Sequence, residues 1–304
     1  MKMIAIKFLE GFRGMKRVFV VVFALALCVF HLTNGRAEAA AFQPERTITV
    51  VSREDGSGTR GAFIELMGIE QKGDNGTKKD MTTKEAVIAN KTDVMLTNIA
   101  GDPHAIGYVS LGSLNDAVKA LAIDGVPATG ENVKNGSYPI ARPFILATDK
   151  AKEVSPLARD FMAFIMSKEG QEVVSKGYIP VDGSAAAYSG KMPQGKITVA
   201  GSSSVTPIME KLKEAYIARN PNAEIEIQMS DSTAGMTAVI EGICDIGMAS
   251  RDLKESELLK LTPLSIALDG IAVIVNKANP AEDMTRGQIQ EIFVGKTETW
   301  QDIR

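Results

Sequence analysis

Three segments of this 304-residue chain repeat one pattern of apolar and polar positions. Each begins with a short apolar run, continues through a polar turn rich in serine and glycine, and ends in a helical spacing of apolar residues. Strands that alternate with helices at this spacing are typical of an α/β fold with mainly parallel sheets. The predicted strands cover residues 47–52, 196–200 and 223–229, the turns cover 53–59, 201–204 and 230–235, and the helices begin near residue 60, end at 219 and cover 236–242.

Weaker signals extend the prediction. Residues 156–175 have helical spacing, and Leu157, Phe161 and Phe164 lie with Ile165 on one stripe that we expect in the core. Residues 180–195 are rich in Gly, Ala, Ser and Pro and lack periodicity, which predicts a linker. Further predicted elements are strands over 106–109, 143–147, 245–248 and 270–275, and an exposed loop over 75–80.

The first 39 residues are typical of an export signal. A basic pair precedes an apolar run over residues 18–30, which is shorter than the roughly 20 residues that a membrane-spanning helix needs. The triplet Ala37-Glu38-Ala39 fits an A-x-A cleavage site, so we expect the mature protein to begin near Ala40. Translation from Met1 or from Met15 fits this pattern equally, and an uncleaved anchor is the alternative.

Composition narrows the function classes. The chain is 45% hydrophobic and 23% charged, which is ordinary for a globular protein and excludes a polytopic membrane protein. The predicted leader holds six basic and two acidic residues, so the 34 Lys and Arg and the 37 Asp and Glu of the whole chain fall to 28 and 35 in the exported protein. A net-negative surface argues against nucleic acid and anionic lipid as partners, although local donors can still hold an anionic ligand.

Few residues remain for catalysis or for metal binding. Without the leader, the chain keeps Cys244 as its single cysteine and His104 as its single histidine. An internal disulfide is therefore excluded, and a histidine metal cluster or a Ser-His-Asp triad lacks its residues. We expect neither a metal nor a cofactor.

The three Ser/Gly-rich turns are candidate anion sites because each precedes a helix. A helix N-terminus carries unpaired N–H donors and a partial positive charge, and small residues let the backbone approach a ligand closely. Simple N-capping by Ser or Thr is the alternative. Residues 56–61 also match G-x-G-x-x-G, but the following residues 71–79 are loop-like and supply no strand that ends in an acidic residue, so we reject a dinucleotide site.

Arg53 is the candidate anion clamp in the first turn. It lies four residues before Ser57, and its guanidinium can donate to two oxygens of a tetrahedral oxyanion. Asp55 is the residue that we expect to orient the guanidinium from behind. The alternative for Arg53 is a surface ion pair, which contributes little.

Seven short stretches carry a resemblance to a known family. They are SREDGSGTRGAF (52–63), AIGYV (105–109), YPIARPF (138–144), SKEGQE (167–172), AGSSSV (200–205), DIGMASR (245–251) and LDGIAV (268–273). These stretches are similar to the periplasmic phosphate-binding proteins of ABC-type phosphate importers, and the resemblance covers nearly all of residues 46–304. Each stretch is weak alone, and the seven together are specific.

The order of these stretches differs from the family pattern. Family members begin with the segment that starts here at Lys196, and only later reach the segment that starts here at Arg46. The resemblance therefore implies a circular permutation in which residues 180–195 join the usual ends. Termini that lie on the surface and near one another make such a rearrangement tolerable. A misassembled gene or a fragment of a tandem array is the alternative.

The family resemblance implies an α/β, two-lobed periplasmic-binding-protein-like fold with a hinge and an interlobe cleft. One lobe would combine residues 46–139 with 276–304 and carry the Arg53/Ser57 loop. The other lobe would cover residues 140–275 and carry the Ser203, Ser232 and Ser250 loops. The hinge would lie in the strands around residues 273–276 and 140–144.

The resemblance also implies a function and a set of binding residues. Such a protein binds inorganic phosphate in the periplasm or outside the cell and delivers it to a membrane permease, and it is a monomer and not an enzyme. The alternatives are a binder of sulfate or another oxyanion, a secreted phosphate-handling enzyme, and a sensor domain that docks on a membrane partner. The family's ligand-contacting positions fall here on Arg53, Ser57, Gly58, Thr59, Ser203, Ser204, Ser232 and Ser250.

One of these positions departs from the best-known branch of the family. An aspartate stands there at the position of Ser250, where a carboxylate acceptor favours protonated phosphate over sulfate. Asp269 is the predicted replacement acceptor in this chain. A turn or cap residue is the alternative for Asp269.

Overall fold

The computed structural model describes residues 41–73 and 78–303. The predicted leader and residues 75–77 lie outside this part of the chain, and so does the proposed cleavage site. The strands are β1 (Thr49–Arg53), β2 (Glu70–Lys72), β3 (Lys78–Asp80), β4 (Val87–Ala89), β5 (Ala105–Ser110), β6 (Val118–Ala120), β7 (Ala122–Ile123), β8 (Ala141–Asp149), β9 (Ile179–Pro180), β10 (Gly195–Ser202), β11 (Ala223–Ser230), β12 (Ile246–Ala249), β13 (Leu261–Asn276) and β14 (Asp283–Met284).

The predicted helices are present with shifted ends, and further helices lie where the sequence pattern predicts none. The helices are α1 (Gly58–Leu66), α2 (Thr92–Gly101), α3 (Gly130–Lys134), α4 (Pro156–Met166), α5 (Lys168–Val174), α6 (Thr206–Ile217), α7 (Ser232–Glu241), α8 (Glu255–Leu258) and α9 (Arg286–Phe293), with 3-10 turns at Leu111–Ser113 and Trp300–Asp302. Among the described residues, no helix is both long enough and apolar enough to cross a membrane.

One large sheet runs through the described part of the chain. Its path is β11-β10-β12-β8-β13-β5-β1-β4, and β6 and β9 pair with β13 beside that path. β10 pairs in parallel with β11 and β12, and β1 pairs in parallel with β4 and β5. The two central strands, β8 and β13, pair antiparallel with each other and with their neighbours. The prediction of parallel strands is therefore right at the two ends of the sheet and wrong at its centre.

Two large hydrophobic cores lie along this sheet. The first includes Phe63, Tyr108 and Phe293 and is built from residues of segments 48–140 and 271–300. The second includes Phe161 and Tyr216 and is built from residues of segment 144–267. The predicted stripe on residues 156–175 is fully packed in the second core, which confirms its core role. The chain passes from one core to the other along β8 and along β13.

Several predicted boundaries are wrong for local reasons. The helix over 156–175 is two helices, because Ser167 leaves the helical conformation with φ −76° and ψ 167° and accepts a hydrogen bond from Gly170 N. The third predicted helix begins at Ser232 and not at residue 236, because Asp231 caps it by accepting from Ala234 N at 2.8 Å. The first helix begins two residues early, at Gly58, after the N-cap Ser57. The predicted loop over 75–80 ends in β3, which forms a hairpin with β2.

Residues 181–194 contain neither helix nor strand, which agrees with the predicted linker except at its two end residues. This segment is fastened to the second core. Tyr188 and Tyr216 both donate their hydroxyls to Asp160 Oδ2, and Lys168 N donates to Ala186 O at 2.8 Å. The linker is therefore an ordered strap and not a free tether.

We expect Tyr188→Phe to lower the free energy of unfolding by about 1 kcal/mol, because it removes one hydrogen bond to a carboxylate and keeps the ring. Urea unfolding measures this change. Tyr188→Ala should cost more, because it also removes the ring that packs edge-on against Phe164. A phenylalanine variant as stable as the parent would show that the strap does not depend on Asp160.

Candidate functional site

The predicted site residues lie where strands of the sheet end and helices begin. Arg53 is the last residue of β1, and Ser57 is the N-cap of α1, whose first turn contains Gly58 and Thr59. Ser203 and Ser204 follow β10, Ser232 opens α7, and Ser250 follows β12. The ends of parallel strands lie at the same edge of a sheet, so this placement follows from the strand–turn–helix pattern of the sequence.

Two contacts join residues that are distant in the sequence. Arg53 Nη2 donates to Ser203 Oγ at 3.0 Å, and these residues are 150 positions apart. The hydroxyls of Thr59 and Ser204 lie 2.9 Å apart and are separated by 145 positions. All four side chains are nearly inaccessible to solvent. The structure thus brings the first predicted turn against the second.

The third turn and the end of β12 complete a group of buried hydroxyls. We call it the hydroxyl cluster, and its members are Thr59, Ser203, Ser204, Ser232 and Ser250. Ser250 N donates to Ser232 Oγ at 3.1 Å, and Ser202 Oγ donates to Ser250 Oγ at 2.9 Å. Gly58 lies so close that a Cβ there would be 2.4 Å from Ser232 Oγ and 2.8 Å from Ser250 Oγ. Glycine at this position therefore lets the backbone of the first turn approach both serines.

Glu54 neutralises the Arg53 guanidinium. Arg53 Nε and Nη2 donate to the two Glu54 carboxylate oxygens at 2.8 and 2.7 Å, and Nε also donates to Ala89 O at 3.1 Å. The prediction that Asp55 orients Arg53 is wrong. Asp55 points to solvent with a side chain that is 96% exposed, and it pairs with Arg60, whose own Nη1 donates to Arg53 O at 2.7 Å.

Tyr108 supports the backbone of Arg53 from below. Its hydroxyl oxygen accepts from Arg53 N at 3.1 Å and lies 2.9 Å from Ser52 Oγ. Its ring stacks on Phe63 with centroids 4.0 Å apart. Burial raises the pKa of Tyr108 to about 12, so this hydroxyl stays neutral at ordinary pH. Packing of Tyr108 in the first core therefore fixes the backbone position from which the Arg53 guanidinium extends.

Asp269 does not join the hydroxyl cluster. Its Oδ2 accepts from Arg142 Nε at 3.2 Å and from Arg142 Nη2 at 3.1 Å, and both side chains are 1% exposed. Burial raises the pKa of the Asp269 carboxyl against the opposing effect of the Arg142 guanidinium. Arg142 Nη1 in turn donates to Ser250 O at 3.0 Å. These contacts contradict a direct role of Asp269 as ligand acceptor, because its carboxylate forms an ion pair with Arg142 outside the hydroxyl cluster.

Sequence reasoning missed several residues of this region. Thr92, the first residue of α2, places Oγ1 3.2 Å from Ser203 Oγ. Thr233 donates to Gly56 O at 3.2 Å from both its backbone nitrogen and its hydroxyl. A polar residue in the first turn of a helix was the available signal for Thr92, but the sequence pattern does not predict a helix over residues 92–101.

The donors of this cluster suit an anion. The cluster offers hydroxyls, amide hydrogens at helix N-termini and one guanidinium, which are the donors that a tetrahedral oxyanion accepts. In the part of the chain that the structure describes, no group of three or more His, Cys, Asp or Glu side chains is placed to hold a metal ion.

The family model of the PBP superfamily domain matches residues 34–169 and 186–303. The Streptococcus agalactiae protein named phosphate-binding protein PstS 2 is 54% identical over 271 residues, which cover 88% of this chain and 92% of the relative. The chain belongs to the PstS proteins of the PBP superfamily. The α/β two-lobed fold that we expected is the fold of this superfamily.

A solved structure and a more distant PstS protein are also similar to this chain. The crystal structure of a phosphate-binding protein of a phosphate ABC transporter from Streptococcus pneumoniae TIGR4 is 47% identical, with a TM-score of 0.68 over 85% of this chain and all of that chain. A PstS protein of Staphylococcus saprophyticus is 36% identical over 129 residues, which cover only 40% of each chain. This chain thus matches most of the length of the Streptococcus agalactiae relative and less than half of the Staphylococcus saprophyticus relative.

Proposed function

We propose that this chain binds inorganic phosphate outside the cytoplasmic membrane and delivers it to the membrane permease of an ABC-type phosphate importer. The observation that carries this proposal is the convergence of Arg53, Thr59, Ser203 and Ser204 from the two ends of the sheet on one buried cluster. The related PstS 2 protein and the pneumococcal structure are both described as phosphate-binding proteins, which supports the choice of phosphate.

The physical basis is the cost of removing water from a dianion. A buried phosphate must recover its lost hydration from many donors, and a guanidinium with several hydroxyls and helix N-termini supplies them. Ligand contacts in the proposed site are Arg53, Ser57, Gly58, Thr59, Ser203, Ser204, Ser232 and Ser250. Because these donors come from both ends of the sheet, phosphate stabilises the closed arrangement over an open one.

We assign the two lobes to residues 46–139 with 276–304 and to residues 140–275, with the hinge where β8 and β13 pass between the cores. The separation of the two hydrophobic cores supports this division. Ile271, Val273 and Val275 of β13 pack in the first core, so we move the boundary between the lobes on β13 from residue 275 to about Gly270.

The proposal includes the location and the chain order. The leader over residues 1–39 directs export, and the mature protein acts as a monomer without a cofactor. A continuous alignment requires the same order in both chains, so the match over 92% of the streptococcal relative supports a natural permutation shared with it. The match to only 40% of the staphylococcal relative is what two chains with exchanged halves would give.

A secreted phosphate-handling enzyme is the weaker candidate. Such an enzyme needs a general base or a metal ion beside the bound phosphate. Glu54 is the carboxylate in contact with Arg53, and both of its oxygens accept from that guanidinium. Because both oxygens already accept hydrogen bonds from Arg53, this carboxylate is engaged as an ion-pair partner, which favours binding without catalysis.

Thermal unfolding of the purified exported protein tests this function. We expect phosphate at about 100 times its dissociation constant to stabilise the folded state by about 2.7 kcal/mol and to raise the melting temperature, whereas sulfate at equal ionic strength should not. Buffer with matched chloride is the control for a general salt effect. An equal rise with sulfate would support the rival oxyanion binder, and no rise with either anion would contradict the proposal.

A further inference from the structure

The Ser203 hydroxyl is the meeting point of two groups from elsewhere in the chain. Arg53 Nη2 lies 3.0 Å from Ser203 Oγ, and Thr92 Oγ1 lies 3.2 Å from the same atom. Thr92 is 5% exposed and Ser203 is 4% exposed, so water has little access to either hydroxyl. This geometry determines where the single proton of Ser203 can point.

A serine hydroxyl has one donor hydrogen and two acceptor lone pairs, and an arginine can only donate. Arg53 therefore occupies one lone pair of Ser203 Oγ. If Ser203 donated to Thr92, its hydroxyl proton would not be available to donate to the ligand. If Thr92 donates instead, both lone pairs are occupied and the Ser203 proton must point away from Arg53 and Thr92. A bound anion accepts hydrogen bonds and so favours the second arrangement.

Building on the proposed function, we infer that Thr92 is a positioning residue that directs the Ser203 hydroxyl proton onto the bound phosphate. Its place in the fold fits this role. Thr92 is the first residue of α2, and the N-cap Lys91 makes no side-chain capping bond. The α2 N-terminus therefore adds a partial positive charge on the side of the cluster where Thr92 meets Ser203.

Thr92→Val tests the inference because valine keeps the shape of threonine and removes its hydroxyl. We expect phosphate affinity by calorimetry to fall by about tenfold, which is the loss expected for one hydrogen bond to a charged ligand. Thr92→Ser restores the hydroxyl and should bind within about threefold of the parent. Thr97→Val is the matched control, since Thr97 lies on the same helix and donates to Asp93 O within that helix.

A double-mutant cycle with Ser203→Ala separates positioning from direct binding. If Thr92 acts through Ser203, Thr92→Val should cost nothing further in the Ser203→Ala background. Additive losses would overturn the inference, because they would mean that Thr92 acts independently of Ser203. Unchanged affinity of Thr92→Val alone would also overturn it, while failure of the parent protein to bind phosphate would instead contradict the proposed function. Thermal unfolding without ligand confirms that each variant is folded.

Discussion

Arg53→Ala is expected to weaken phosphate binding by at least tenfold, and on the order of 100-fold, because it removes a charged donor worth about 2–3 kcal/mol. The loss has a second source in this structure. Arg53 neutralises Glu54, whose oxygens lie 2.7 and 2.8 Å from the guanidinium nitrogens. Without Arg53, the Glu54 carboxylate would remain near the anion and repel it.

Isothermal titration calorimetry of three variants checks this result. Arg53→Lys keeps the charge but lacks the forked geometry, so we expect an affinity between those of the parent and Arg53→Ala. Arg159→Ala is the control, since Arg159 is 65% exposed and pairs with Glu153 at the surface. Binding by Arg53→Ala within threefold of the parent would remove the clamp from the mechanism. The lysine variant distinguishes loss of charge from loss of geometry.

The local physics of turns explains why most of the site could be predicted. Ser57 and Ser232 lie at helix N-termini, where small polar residues are favoured, and the apolar run before each turn indicates the strand that delivers it. The family resemblance then assigns ligand roles to these positions. The structure adds that Arg53 and Thr59 contact Ser203 and Ser204, a pairing that no local pattern contains.

The partner of Arg53 could not be predicted, because the choice depends on long-range contacts. Glu54 and Asp55 are adjacent in the sequence and equally able to pair with a guanidinium. Arg60 decides between them, since its Nε donates to Asp80 Oδ2 at 2.8 Å and its Nη1 donates to Asp55 Oδ1 at 2.7 Å. This arrangement holds Asp55 at the surface and leaves Glu54 for Arg53.

The central strands β8 and β13 are hard to predict because polar residues on one strand form their hydrogen bonds with polar residues on the other. β13 has 16 residues, and the sequence pattern predicts only its last third, since Pro263 and Asp269 interrupt the apolar run. Asp269 is tolerated because Arg142 on β8 is its register partner. A single sequence shows an isolated acid in such a strand, and the pairing that makes it acceptable lies 127 positions away.

That pairing carries the second large expected effect. Arg142 and Asp269 link β8 to β13 where the chain passes between the two cores, and Arg142 also donates to Ser250 O. Removing one member of a buried ion pair leaves an uncompensated charge and costs about 3–5 kcal/mol. We therefore expect Asp269→Asn to lower the free energy of unfolding by about this amount, measured by urea unfolding.

The surroundings of the pair make compensation difficult. Burial, together with the negative charge of Asp269, raises the pKa of Tyr178 to about 12, so this hydroxyl is neutral and can offer Arg142 no charge. The neutral amide introduced by Asp269→Asn would therefore leave the buried guanidinium without any anion in contact.

A double variant keeps this prediction testable if Asp269→Asn does not fold. Arg142→Met with Asp269→Leu removes both charges and fills the space, so we expect it to be more stable than Asp269→Asn. Arg159→Ala should cost less than about 1 kcal/mol, because its ion pair is exposed. A change of less than about 1 kcal/mol for Asp269→Asn would show that the pair contributes little to the fold.

The same variants test whether the Asp269 carboxylate contributes to the preference for phosphate over sulfate. If the carboxylate only serves Arg142, folded Asp269→Asn should keep the parent's ratio of phosphate to sulfate affinity, although both affinities fall as Ser250 loses its support. If the ratio itself falls, the carboxylate distinguishes protonated phosphate from sulfate through Arg142 and Ser250. The contacts at 3.0–3.2 Å along this path favour the first outcome, because they commit Asp269 Oδ2 to the guanidinium. Selectivity would then come from the hydroxyl cluster, where serines other than Ser203 can accept a hydrogen bond from the phosphate hydroxyl as well as donate one.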